Sequence, residues 1–203
     1  GDVLPLVADL SDPAQIDAMF AELAKHTDRL DVLVNNACHL GSFKNFTEMT
    51  LADFEGVLAV NLRAVFYTSQ HAAKIMMTHD GGAIVNVGSN TAQRAIRGRC
   101  DYIAAKGGVE ALSRALALEL GPKKIRVNVV SPGYINTNRW ETLPAEHVLR
   151  RRDNLPLDFE ATTQDVADAV FYMASPQARA ITGTILTVDA GASAQLVPLD
   201  CEV

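Results

Sequence analysis

Short apolar runs alternate along this chain with longer stretches whose apolar residues recur every three or four positions, the patterns of buried strand and amphipathic helix. Residues 3–10 are a first apolar run. Ser11 or Asp12 then offers an N-cap, with Pro13 in the first helical turn. Ile16, Met19, Phe20 and Leu23 follow at helical spacing. Residues 31–37 read as a strand. Thr50 and Asp53 form a capping-box-like start, with Asp in place of the usual Glu, to a long helix through Phe54, Leu58, Leu62 and Phe66 to about Met77. Gly81 and Gly82 break the pattern, and residues 83–88 form the next strand. After a polar, Arg-containing loop, residues 102–120 read as an Ala/Leu-rich helix closed by Gly121 and Pro122. Residues 125–130 are a strand ending at Ser131, Pro132 and Gly133. The stretch 134–160 is irregular, with one short helix between Pro144 and Pro156. A helix over about 163–174 and a strand over 184–188 complete the pattern.

The runs VLVNNA, AIVNV and IRVNVV are apolar on both faces, as parallel strands are when helices cover both sides of a sheet. The expected fold is therefore α/β, a doubly wound, Rossmann-type parallel sheet, with residues 1–203 as one domain. Each run also carries an Asn: Asn35, Asn86 and Asn128. A buried amide must find partners, so either a polar network crosses the sheet or these residues lie at a wet rim.

Composition narrows the function classes. The 203 residues are 48% hydrophobic and 21% charged with a net charge of −6, which argues against a nucleic-acid surface. The densest basic run, Arg150, Arg151 and Arg152, reads as a solvated face. No apolar run approaches the length of a membrane span. Cys38, Cys100 and Cys201 show no metal or redox spacing, nor do the five histidines. No metal is expected, and a reducing, cytoplasmic setting is the expectation.

In open α/β sheets, ligands sit beyond the carboxyl ends of the strands. Asn36 and Ala37 occupy one such end, Ser89 another, Pro132 and Gly133 a third. Tyr102 and Lys106 lie four apart at a helix start and so share a face. An ammonium near a phenol stabilises the phenolate, and a Tyr tuned in this way can exchange a proton at a carbonyl. A Tyr-x-x-x-Lys pair is common by chance; its place 13 residues after the strand end at Ser89 is what gives it weight.

The stretches VADLSD, LVNNA, VNL at 60–62, NVGS, YIAAK, IRVNVVSPG and ITGTILTVDAG occur in this order across essentially the whole chain. Together they resemble the short-chain dehydrogenase/reductase family in its single-domain form. The resemblance implies hydride transfer between NAD or NADP and a carbonyl/alcohol substrate, such as a 3-oxoacyl thioester, sugar, polyol or small ketone. Tyr102 matches the proton donor/acceptor. Lys106 matches the residue that lowers the Tyr pKa and holds the nicotinamide ribose, and Ser89 the hydroxyl that meets the substrate oxygen. Asn61 matches the residue that positions a water for proton relay. Asp9 and Leu10 match the adenine side of the cofactor site; Asn36 and Ala37 match the segment along its adenosine. Pro132, Gly133, Ile135 and Thr137 match the turn against the nicotinamide. The helices over 51–77 and 102–120 resemble the family's subunit-contact helices, which implies a homodimer or homotetramer. Family enoyl reductases usually space their Tyr and Lys further apart.

The chain departs from the family pattern twice. Cys38 stands where Gly usually follows Asn-Asn-Ala. The opening strand, its Gly-rich phosphate-binding turn, the following helix and a second strand are absent: residues 3–10 already match the family's third strand. About 50 residues are missing relative to a usual domain of ~250. In the order 3-2-1-4-5-6, that absence leaves residues 3–10 without a sheet neighbour and opens an edge at Leu33 and Val34. The expectation is weak cofactor binding and lower stability than in a chain carrying that unit. The competing reading is a non-catalytic fragment or pseudoenzyme that keeps the scaffold. Arg94, Arg97 and Arg99 lie in a region that borders substrate in this family, where one of them could meet an anionic or hydroxylated substrate, but they read as exposed loop arginines; His39 could line the site but reads as loop surface. Trp140 lies in a segment that resembles the family's substrate-covering loop.

Overall fold

The computed structural model describes residues 2–137 and 144–201. Trp140 therefore lies outside the described residues. Four parallel strands, β1 (Val32–Asn35), β2 (Gly82–Val87), β3 (Ile125–Pro132) and β6 (Ile185–Val188), form a sheet in the order β1-β2-β3-β6. Register runs from Val32 opposite Ala83 through Val87 opposite Val130 to Pro132 opposite Val188. Two short strands, β4 (Ile135–Asn136) and β5 (Ala161–Thr162), pair separately. They and α5 (Ala145–Asp153) give structure to the stretch that the pattern left irregular.

The helices are α1 (Pro13–Leu23), α2 (Leu51–Leu58), α3 (Ala64–Met76), α4 (Cys100–Leu120) and α6 (Thr163–Ala174), besides α5. Asp12 caps α1 by accepting from the Ala14 N–H. Thr50 and Asp53 close a full capping box on α2, so the shorter Asp side chain still reaches back to the cap N–H. Thr162 and Asp165 do the same on α6.

Alternation along the strands sorts the core into two layers. Ile84 and Val127 meet Ala72 and Met76 of α3 and Ala117 of α4 on one face. Val85 and Val130 meet Met173 of α6 on the other. Helices on both faces make the sheet doubly wound, as its two-sided apolar strands require.

The buried asparagines divide. Asn35 Nδ2 donates to Asn86 Oδ1 at 2.8 Å, and Asn86 Nδ2 donates to Ser113 Oγ of α4 at 2.9 Å. Thr68 of α3 donates its hydroxyl to Asn35 Oδ1. This network spans β1, β2 and two helices. Asn128 stands apart and fastens the turn before β6, accepting from Thr184 N and donating to Ile181 O.

Residues 2–8 form no strand, and Val7 is fully exposed. Val32 and Val34, which point to the α6 side of edge strand β1, are 37% and 41% exposed. They border an apolar cleft of about 650 Å³ with Val166, Val170 and Phe171 of α6.

Candidate functional site

The carboxyl ends of β1, β2 and β3 converge, and α4 starts beside them. Ser89 follows β2 with its side chain buried; it caps a short 3₁₀ turn over Asn90–Ala92, and its Oγ lies 2.9 Å from Thr91 Oγ1. Tyr102 is in the first turn of α4 and Lys106 one turn further on. Lys106 is only 3% exposed. Its Nζ donates to the Val87 carbonyl at 2.7 Å and lies 5.7 Å from the centre of the Tyr102 ring. Burial lowers the Lys106 pKa below its ordinary value, and the nearby Cys38 thiol opposes that shift. The ammonium is thus anchored by a strand-end carbonyl beside the Tyr102 ring.

Asn61 is 1% exposed and sits in a π-helical stretch, Ala59–Arg63, between α2 and α3. Such wide turns re-aim one side chain out of an otherwise regular ladder. Asn61 Oδ1 accepts from His39 N at 2.7 Å, and its Nδ2 donates to His39 O at 2.8 Å. Its amide therefore pins the backbone just past Asn36 and Ala37. His39 itself is exposed, as is Cys38.

Asp9 is exposed; its carboxylate accepts from Ser11 N at 2.8 Å, and the Ser11 hydroxyl first, then this N–H, lower its pKa. Leu10 and Ala37 border a small recess with Val60 and Thr68. Pro132 ends β3, and Gly133 N donates to Val188 O. A Cβ at Gly133 would collide with the Asp189 Cβ and stand 3.0 Å from Asn90 Nδ2, so only glycine lets these two strand ends close up. Ile135 lies in β4 and Thr137 just after it. Ser131 Oγ is buried at the end of β3 with no hydrogen-bond partner among the described residues.

Two residues beside Tyr102 are placed otherwise than the local sequence pattern suggests. Asp101 is fully buried and accepts from Ser42 N at 2.8 Å and from Tyr102 N at 2.7 Å. Burial pushes its carboxyl up, but these hydrogen bonds and Arg99 outweigh burial and hold it below the usual range. Arg99 is half-buried rather than an exposed loop residue. Its guanidinium stacks between Phe43, 4.2 Å from the ring centre, and Tyr102 at 4.4 Å. Gly41, at φ +90, passes so close that a Cβ there would lie 3.3 Å from Tyr102 Cβ. The loop after β1 is thereby locked to the start of α4. The contacts join residues nearly 60 positions apart, which explains why local pattern did not reveal them.

A cavity of about 510 Å³ opens past Ser89, with Asn90 and Thr91 at its rim. Arg94, Arg150 and Arg151 line it. The run 150–152 is thus divided: two of its arginines face this cavity, and Arg152 pairs with Glu160. Among the described residues, no group of three His, Cys, Asp or Glu could hold a metal, and no helix is long and apolar enough to cross a membrane.

A family model described as "Enoyl-(Acyl carrier protein) reductase" matches residues 1–193. The 3-oxoacyl-[acyl-carrier-protein] reductase of Homo sapiens is 38% identical over 192 residues, covering 94% of this chain and 78% of the relative. A 3alpha-hydroxysteroid dehydrogenase of Mediterraneibacter gnavus is 36% identical, over 90% of this chain and 73% of the relative. The crystal structure of levodione reductase superposes with a TM-score of 0.86 at 31% identity, covering 93% of this chain and 76% of that one.

Proposed function

This chain belongs to the short-chain dehydrogenase/reductase family, and from that premise we propose that its site interconverts a carbonyl and a secondary alcohol with NAD or NADP. The observation that carries the reading is the buried Lys106 ammonium, held at the Val87 carbonyl beside the Tyr102 ring and next to the strand end that bears Ser89. The one-turn spacing of Tyr102 and Lys106 supports carbonyl chemistry.

The residues present fit the nicotinamide-ribose half of the cofactor. The unpartnered Ser131 Oγ, the Gly133 turn with no room for a Cβ, and the buried Lys106 lie around one strand-end rim. Lys106 would hold the ribose, and Pro132, Gly133, Ile135 and Thr137 the carboxamide side. Asn36, Ala37, Asp9 and Leu10 would border the adenosine. The 203 residues contain no Gly-rich phosphate-binding turn. When bound, the nicotinamide supplies or accepts the hydride.

The chain's own residues handle the oxygen and its proton. Ser89 Oγ donates to the substrate oxygen as negative charge develops there. The Tyr102 hydroxyl delivers the proton in reduction and takes it back in oxidation. Lys106 stabilises the phenolate left behind. Asn61 keeps the loop at 36–39 in place. The protein acts on a small molecule, as a homodimer or homotetramer in the cytoplasm.

The test is ketone-dependent oxidation of NADH and NADPH by the purified protein and by Tyr102→Phe. Turnover by the wild type, a loss of about 10²–10⁴-fold in the variant and unchanged cofactor affinity support the reading. Equal rates in the two proteins would sink it.

A further inference from the structure

Asp101 is a buried ion that the chemistry at Ser89, Tyr102 and Lys106 does not itself use. It has no solvent exposure, and a carboxylate is expensive to bury unless donors meet its oxygens. Each oxygen has one. Oδ1 accepts from Tyr102 N at 2.7 Å, and Oδ2 accepts from Ser42 N at 2.8 Å, across 59 positions of sequence. The first bond alone would be a helix cap. Arg99, at the N-cap of α4, makes no side-chain capping bond, so an N–H group without an intrahelical partner falls to Asp101. A cap needs one oxygen and can sit in water. Full burial, with the second oxygen committed to the loop after β1, goes beyond that role.

That loop is held at its other end by Asn61, whose amide bonds both backbone groups of His39. His39 Nδ1 in turn accepts from Gly41 N at 3.1 Å. Gly41 passes Asp101 so closely that a Cβ would stand 3.2 Å from its Oδ1. Phe43, next to Ser42, sits at φ 56, a left-handed conformation that a bulky residue keeps only where its surroundings hold it. Its ring lies on the Arg99 guanidinium, which stacks against Tyr102. Hydrogen bonds and close packing thus run from Asn61 through residues 39–42 and Asp101 to the backbone of Tyr102.

We propose that Asp101 is a positioning residue for the proton transfer: its carboxylate ties the loop anchored by Asn61 to the first turn of α4, and so fixes where the Tyr102 hydroxyl stands. The inference rests on the reading of Tyr102 as the proton donor. Helix ends fray, and Tyr102 lies in the first turn of α4. Proton exchange needs the hydroxyl within ~2.6–3.2 Å of the substrate oxygen. Misplacing a reacting group by about 1 Å costs on the order of 10²-fold in rate.

The experiment uses Asp101→Asn, which keeps the shape of the side chain. Its single carbonyl oxygen can still accept from Tyr102 N, but its NH2 then faces Ser42 N, donor against donor. Thr50→Ala removes the cap of α2 and serves as the control for lost stability alone. Ketone reduction with NADH or NADPH gives kcat and KM for each protein. Labelling with 3-fluorotyrosine marks the four tyrosines, and Tyr102→Phe identifies the fluorine signal of position 102. Asp101→Asn should lower kcat by roughly 10–100-fold, leave the ketone KM and cofactor affinity unchanged, and move the Tyr102 signal. Thr50→Ala should keep both kcat and that signal. A kcat equal to the wild type, a loss confined to KM, an equal fall in Thr50→Ala, or an unmoved Tyr102 signal would overturn the proposal. Equal turnover by the wild type and Asp101→Asn would remove this inference and leave the reaction assignment standing. If the wild type transfers no hydride, the fluorine spectrum decides: a moved signal keeps Asp101 as the residue that places Tyr102 and removes the reaction assignment, and an unmoved one removes both.

Discussion

Replacing Asn61 with Ala tests how the site is held together. The Asn61 amide makes two hydrogen bonds to the His39 backbone, at 2.7 and 2.8 Å, from a fully buried position. Each is worth a net ~0.5–1.5 kcal/mol. Both go in Asn61→Ala, so the loss is about 1–3 kcal/mol, and the exposed position of His39 keeps it from rising further because water can reach the freed groups. For a chain of this size each kcal/mol moves the midpoint by roughly 2–4 °C, so a loss near ~2 kcal/mol lowers Tm by about 4–8 °C. The loop at 36–39 should loosen, and NADH affinity should fall with it. His39→Ala is the control: it keeps the backbone groups and removes only the ring, whose Nδ1 accepts from Gly41 N. It should cost no more than about 1 kcal/mol. Circular-dichroism melts and NADH titrations on the three proteins decide. An unchanged melt in Asn61→Ala, or an equal loss in His39→Ala, would refute the clamp. A fall in kcat with Tm and NADH affinity intact would instead assign Asn61 to proton relay alone.

Three further outcomes are expected. Gly133→Ala forces a Cβ onto Asp189 and towards Asn90; overpacking of this kind costs about 1–3 kcal/mol, visible as a lower urea midpoint, and an unchanged midpoint would mean the strand ends can part freely. Burial lowers the folded pKa of Lys106 below 10.5; between those two values the unfolded chain holds a proton that the folded chain has released, so stability contributed by this residue rises with pH across that window. Urea midpoints taken up to pH ~10.5 should therefore rise relative to those of Lys106→Met, and parallel profiles would contradict the assignment. Thr50→Ala removes the hydroxyl that caps α2 and should cost about 1 kcal/mol in the same assay.

The strands and most helices were legible because each is set by its own residues. VLVNN, AIVNV and IRVNVV carry their burial in their composition, and Thr50 with Asp53 marks a helix start. Ser89, Tyr102 and Lys106 could be grouped because the sheet's carboxyl ends are fixed by strand order. An open edge expected at Leu33 and Val34 followed from the same reasoning; the structure exposes Val34 and Val32, while Leu33 packs on the core. What escaped depends on segments far apart in sequence. The π-helical stretch at 59–63 leaves no mark in an unbroken apolar period. Asp101 reads as an ordinary helix-start acid until Ser42 is brought to it, and Arg99 as a loop arginine until Phe43 closes its other side. Arg94 and Arg151 line one cavity although 57 positions separate them.

The most direct test of the central claim is isotope transfer. The protein is incubated with a ketone and NADH or NADPH deuterated at nicotinamide C4, on each face in turn, and the alcohol is analysed by mass spectrometry. The account predicts deuterium at the carbinol carbon from one face of the ring, with formation of the labelled alcohol nearly abolished when Tyr102→Phe replaces the wild type. Saturable cofactor binding with no labelled alcohol from either face would contradict it.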